Sequence, residues 1–254
     1  AEAIKYYKMA IDKGDTNSMN NYALMLQNGD GIPVNKEEAI KYYKMAIDKG
    51  NSNAMYYYAR MLQYGEGIPV NKEKAIKYYK MSIDKGNSYA MYNYALMLQD
   101  GDGIPINKEE AIKYYKMAID KGNCDAMNNY AQMLQVGEGI PVNKAEAIKY
   151  YKMSIDKGNC DAMYNYALML QNGDGIPINK EEAIKYYKMA IDEGDSYAMF
   201  NYARMLQDGE GIPVNKEEAI KYYKMSIDKE NSYAMNNYAL MLQDGDGIPI
   251  NKEE

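Results

Sequence analysis

Residues Asn51–Gly86, NSNAMYYYARMLQYGEGIPVNKEKAIKYYKMSIDKG, decide the fold. Ala54, Met55, Tyr58, Ala59 and Leu62 recur at the spacing that gathers apolar side chains on one face of a helix. The spacing predicts a first helix, helix A, over about Ser52–Tyr64. Asn51 or Ser52 offers an oxygen to its unpaired N–H groups, and Gly65 supplies the left-handed residue that stops it. Glu66-Gly67-Ile68-Pro69 then reads as a turn, since Pro cannot enter a helix interior. Asn71 caps a second helix, helix B, over about Lys72–Lys85. It carries Ala75, Ile76, Tyr79, Ser82 and Ile83 on one side, with Gly86 at its end. In most copies of the segment a Glu follows the capping Asn by three residues, as Glu38 follows Asn35, giving an Asn-x-x-Glu variant of the capping box.

The segment is one of seven copies. Gly29 recurs as Gly65, Gly101, Gly137, Gly173, Gly209 and Gly245, every 36 residues without insertion, and Pro33 keeps the same step to Pro249. A single hairpin cannot bury both of its apolar faces, whereas stacked copies bury a continuous core. The expected fold is therefore all-α, an α-solenoid of seven 36-residue antiparallel helix-hairpin repeats. One array should run through residues 1–254, with repeats at about 2–37, 38–73, 74–109, 110–145, 146–181, 182–217 and 218–253.

The G-x-G-I-P turn (Gly65 to Pro69) and the A-I-K-Y-Y block (Ala39 to Tyr43) resemble the Sel-one-like repeat, a relative of the tetratricopeptide repeat. The likeness covers the whole chain. Tyr58-Ala59 stands where that family usually has Leu-Gly, and Leu62 where it usually has Tyr, exchanging one core packing for another. The resemblance implies a right-handed superhelix whose A helices line a concave groove. It also implies the work of an adaptor that gathers other proteins, without catalysis.

Composition excludes several chemistries. There is no His, so imidazole bases, His-containing triads and most zinc sites fall away. Net charge is −6, and Arg60 and Arg204 are the only arginines, so no basic patch marks a nucleic-acid partner. No stretch approaches the ~20 apolar residues of a membrane span. Asp100-Gly101-Asp102-Gly103 is similar to the start of a calcium loop, but Ile104 and Ala111 occupy the places of later ligands, and a plain turn is the better reading. The 21 Met, three per repeat, read as core filler rather than copper ligands. Cys124 and Cys160 are 36 residues apart, in a slot filled by Ser or Thr elsewhere. Stacked helices at ~8–10 Å are too far apart for a disulfide. A small residue at a helix start is expected there, with the thiol pKa lowered by the helix N-terminus. Free thiols fit a reducing compartment such as the cytoplasm. Neither a cofactor nor a metal is expected.

Copies of one repeat can be compared with each other. On helix A the variable slots are those of Asn53, Tyr56, Arg60 and Tyr64, which fall on one stripe opposite Met55 and Leu62. Helix B varies far less: Lys41, Lys44 and Asp48 on its outward face are identical in all seven copies. Neutral drift at exposed sites should affect both faces, so variation confined to helix A marks a partner surface. The expected surface comprises Asn53, Tyr56, Arg60, Tyr64, Tyr89, Tyr92, Leu96, Asn128, Gln132, Tyr164, Leu168, Tyr197, Phe200 and Arg204. The partner would be an extended peptide or protein. The alternative is a self-assembling fibre in which repeats of separate copies stack end to end or pack laterally.

Overall fold

The computed structural model describes residues 2–247. Fourteen helices and no strand occur among these residues. The A helices are α2 (Thr16–Asn28), α4 (Ser52–Tyr64), α6 (Ser88–Asp100), α8 (Cys124–Val136), α10 (Cys160–Asn172), α12 (Ser196–Asp208) and α14 (Ser232–Asp244). The B helices are α1 (Glu2–Asp12), α3 (Lys36–Asp48), α5 (Lys72–Asp84), α7 (Lys108–Asp120), α9 (Lys144–Ile155), α11 (Lys180–Asp192) and α13 (Lys216–Ile227). Pro249 and the end of the seventh repeat lie outside the described residues.

Contacts divide the chain into two units, Ala1–Ala126 and Met127–Glu254. In the first, α2 with α3, α4 with α5 and α6 with α7 form hairpins, and α3–α4 and α5–α6 packing joins one hairpin to the next. In the second, α10 with α11 and α12 with α13 form hairpins, joined through α9–α10, α11–α12 and α13–α14. Each unit is thus a stack of helix pairs, as the period predicts.

Capping follows the sequence, with one correction at α3. Asn51, not Ser52, caps α4: its Oδ1 accepts from Ala54 N at 2.9 Å. At α3, Asn35 Oδ1 accepts from Glu38 N at 3.0 Å, as expected. The reciprocal bond is different. Glu38 accepts from the Asn35 side-chain amide at 3.1 Å, because the Asn35 backbone N–H is already donated to Leu26 O at 2.8 Å.

Two glycines in each turn do separate jobs. Gly65 ends α4 at φ 76°, the left-handed conformation that gives its N–H to Met61 O. Gly67, at φ 73°, also lies against the start of the preceding B helix, where a Cβ would come within 2.4 Å of Lys36 Cβ. A side chain there would be strained in the backbone and would displace the neighbouring repeat.

The core is built from Ala, Met and Tyr. Ala39, Tyr43, Ala54, Ala59, Met61 and Tyr79 are buried. The Tyr42-Tyr43 pair divides its roles: Tyr42 stands edge-on to Tyr22 at 4.9 Å, while Tyr43 is buried and donates its hydroxyl to Gln27 at 2.8 Å. The same edge-on pair recurs in each unit, as Tyr94–Tyr114 and Tyr166–Tyr186.

Candidate partner-binding face

A polar chain of Tyr, Gln, turn acid and Lys links repeats within each unit. Tyr79 donates to Gln63 at 2.7 Å, Gln63 donates to Asp102 in the next turn at 2.8 Å, and Asp102 also pairs with Lys72. The second unit repeats this as Tyr151, Gln135, Asp174 and Lys144. The Lys144 ammonium holds the Asp174 carboxyl below the usual range. The turn acids that suggest calcium loops are therefore structural acceptors.

Beside this chain runs the variable stripe. In the first unit Tyr64 and Tyr89 are 56% and 55% exposed, and Asn53 is exposed as well. Tyr92, Leu96 and Arg60 are half-buried. In the second unit Tyr197 is 49% exposed, Gln132 and Arg204 are exposed, and Tyr164, Leu168 and Phe200 are half-buried. Two residues correct the expectation of an exposed stripe: Tyr56 and Asn128 are buried, at 9% and 4%. The cause is the next repeat. Tyr56 is covered by Tyr89 at 5.8 Å and leans on Tyr79 at 6.3 Å. Asn128 accepts from Asn165 at 3.0 Å.

That last bond belongs to a pattern unread in the sequence. An Asn occupies the slot of Tyr57 in six of the seven copies. Like Asn165, Asn93 and Asn201 donate to the variable residue of the preceding A helix, Asn93 to Tyr56 Oη at 3.5 Å and Asn201 to Tyr164 Oη at 3.3 Å. Where Phe200 offers no hydroxyl, Asn237 turns instead to Tyr223 Oη at 3.4 Å. Where Tyr57 replaces the Asn, Asn20 Oδ1 is left buried without a hydrogen-bond partner. The near-invariance of the Asn was the available signal.

Rings and guanidinium groups meet along the stripe. Arg60 lies 6.0 Å from the Tyr64 ring, and Arg204 lies 5.9 Å from the Phe200 ring. Tyr197 contacts Tyr164 at 6.0 Å and Tyr233 at 6.4 Å. Packing thus fixes the rings in place.

Neither cysteine forms a disulfide, and the setting of Cys160 differs from the expected one. Asn159, not Cys160, caps α10. Burial, with the Asp161 and Asp195 carboxylates beside it, pushes the Cys160 thiol up rather than down. Cys160, Asp161 and Asp195 bring three ligand atoms within 4.8 Å of one another. Asp195 is already committed to capping α12, accepting from Ala198 N at 2.6 Å.

No helix among the described residues is long and apolar enough to cross a membrane. The family model for the Sel1 repeat matches residues 1–15, 16–51, 52–87, 88–123, 124–159, 160–195, 196–231 and 232–254. It frames each repeat as helix A followed by helix B, with the same 36-residue period. No curated protein matches the chain. Among solved structures, a Sel1 repeat protein from Oxalobacter formigenes is similar, with a TM-score of 0.81 at 25% identity over 85% of this chain and 88% of that one. The protective antigen c5321 of uropathogenic Escherichia coli, described as displaying an SLR fold, is similar with a TM-score of 0.76 at 24% identity. That match covers 98% of this chain and 54% of the antigen, so this chain spans about half the antigen's length. The immunity protein Pa5087 of Pseudomonas aeruginosa shares the fold, with a TM-score of 0.59 at 17% identity over 86% of this chain and 83% of that one.

Proposed function

The chain belongs to the Sel1 repeat family, a scaffold fold generally without catalysis and commonly used in protein–protein interaction, and from that premise we propose that it binds an extended peptide or protein segment along its A helices. One observation carries the reading. The copies differ along one stripe of helix A, while Lys41, Lys44 and Asp48 of helix B are the same in every repeat. The exposed rings of Tyr64, Tyr89 and Tyr197 add support. Each is held by neighbouring side chains, so docking against it costs little ordering entropy.

The test compares two double variants. Changing Arg60 and Arg204 together to Ala weakens a partner recovered by affinity capture, with a loss of ~2 kcal/mol or more at a hot spot. Changing Lys41 and Lys185 to Ala leaves that partner bound. Calorimetry measures the binding, and circular dichroism confirms that helicity is unchanged. If the lysine pair proves the damaging one, the partner surface is on the B helices and the proposal fails.

A further inference from the structure

Resting on that reading, we infer that Arg204 and Lys180 form a receptor for a carboxylate, so that the bound segment carries an Asp or Glu side chain opposite α12.

The two arginines occupy one slot in different repeats, yet they are not equivalent. Four residues before Arg60 stands Tyr56, and four residues before Arg204 stands Phe200, the only Phe in a chain with 29 Tyr. The Tyr56 hydroxyl faces the Arg60 guanidinium and, against the cost of burial, pushes its pKa up. Arg60 is half-buried and lies over the Tyr64 ring of its own helix. Phe200 offers a ring face but no hydroxyl. Arg204 rests over that ring at 5.9 Å, remains exposed, and has no described carboxylate within ion-pair distance, Asp208 one turn on included.

An open pocket of about 340 Å³ adjoins it, lined by Leu168, Gln171, Ile178, Lys180, Asn201 and Arg204 among others. Its internal acid is Glu210, which occupies the slot of Asp174 in the preceding turn. Lys180 reaches Glu210 at 3.5 Å and Gln171 reaches it at 3.3 Å, whereas Gln135 holds Asp174 at 2.7 Å. The Glu210 side chain is also the more exposed, at 39% against 28% for Asp174. The pocket therefore holds two cations against one loosely seated carboxylate. Gln171, whose amide nitrogen gives one N–H to Glu210, has a second to offer, and a second carboxylate fits that charge.

Having only two arginines makes the test direct. In the full chain, the arginine Nε–Hε region of a nitrogen-15 correlation spectrum contains two side-chain signals, assigned through Arg204→Gln. Gln132 fills the same slot naturally, so that variant retains the fold. The probes are a blocked Gly/Ser peptide bearing Glu residues, the matched Gln peptide, and inorganic phosphate, all at low salt. The Glu peptide shifts the Arg204 signal, while the Gln peptide does not and phosphate does so more weakly. Affinity for the Glu peptide falls about tenfold or more in Arg204→Gln, the effect of losing one charge-assisted hydrogen bond. It falls several-fold in Phe200→Tyr, where the new hydroxyl engages the guanidinium as Tyr56 engages Arg60. An unmoved Arg204 signal, an Arg60 signal that moves as far, or a phosphate response equal to that of the peptide overturns the inference. If peptide signals then map to Tyr89 and Tyr197 while Arg204 stays still, the A-helix surface survives and the carboxylate receptor alone is lost.

Discussion

Asn20 and Asn128 occupy the same slot in different repeats, with the same local pose, and the same substitution in each should have opposite effects. Each donates to the Asn that follows it, at 3.2 Å in both cases. Asn128 Oδ1 also accepts from Asn165, whereas Asn20 Oδ1 is buried with no partner because Tyr57 stands where the donor would be. Asn128→Leu removes two hydrogen bonds worth about 1 kcal/mol each and takes an acceptor from Asn165, costing about 2 kcal/mol. Asn20→Leu loses one such bond but also removes an unsatisfied buried carbonyl, whose burial costs about 1–3 kcal/mol, for a net gain near 1 kcal/mol. Leu favours the helix over Asn at both sites, so that effect cancels in the comparison. The predicted difference is about 3 kcal/mol. Repeat arrays open locally, so native-state amide exchange in α2 and α8 is the suitable assay. Protection should rise in α2 and fall in α8, with the two responses separated by roughly a hundredfold. Changes of equal size and the same sign would refute the role assigned to the inter-repeat Asn.

Two further changes act on stability. Glu230 stands where six repeats have Gly and is the only non-glycine residue at positive φ among those described, at 63°. Glu230→Gly should stabilise the α13–α14 junction by about 1 kcal/mol, read as a higher urea midpoint, and an unchanged midpoint would contradict it. Asp195 caps α12 where five other repeats use Asn, and burial, reinforced by Asp161, pushes its carboxyl up. A raised folded-state pKa means the folded protein holds the proton more tightly, so this carboxyl lowers stability at neutral pH and ceases to do so as pH falls through the carboxylate range. Asn caps a helix equally well. Asp195→Asn should therefore raise Tm at pH 7 and leave it nearly unchanged near pH 3, and a uniform shift at both values would count against the electrostatic cause.

Most of the helical framework is legible because its determinants are local. Asn51, Gly65 and the run from Ala54 to Leu62 act within a few residues of one another, and α4 begins and ends where they place it. The stripe was legible only in part. Counting around one helix separates Tyr56 from Met55 but says nothing of Tyr89, which comes from the next repeat and covers it. The role of Asp102 was hidden for the same reason, since Gln63 lies 39 residues away. The rise in the Cys160 thiol pKa depends on Asp195, brought close only by folding.

The chain of Tyr, Gln, turn acid and Lys, formed by Tyr79, Gln63, Asp102 and Lys72 in one unit and by Tyr151, Gln135, Asp174 and Lys144 in the other, bears on how such an array changes its length. An acceptor such as Asp102 must reach Gln63 and Lys72 of the preceding copy at once, while Gly67 leaves no room for even one Cβ against Lys36. One extra residue in the turn would break several contacts together. Gain or loss of 36 residues, or a multiple, would instead restore the same register at the junction, whichever copies become neighbours. Recombination between copies therefore has a chemical reading frame, in which copy number is free to drift and copy length is not. The uninterrupted 36-residue step from Gly29 to Gly245 is what such a constraint leaves behind.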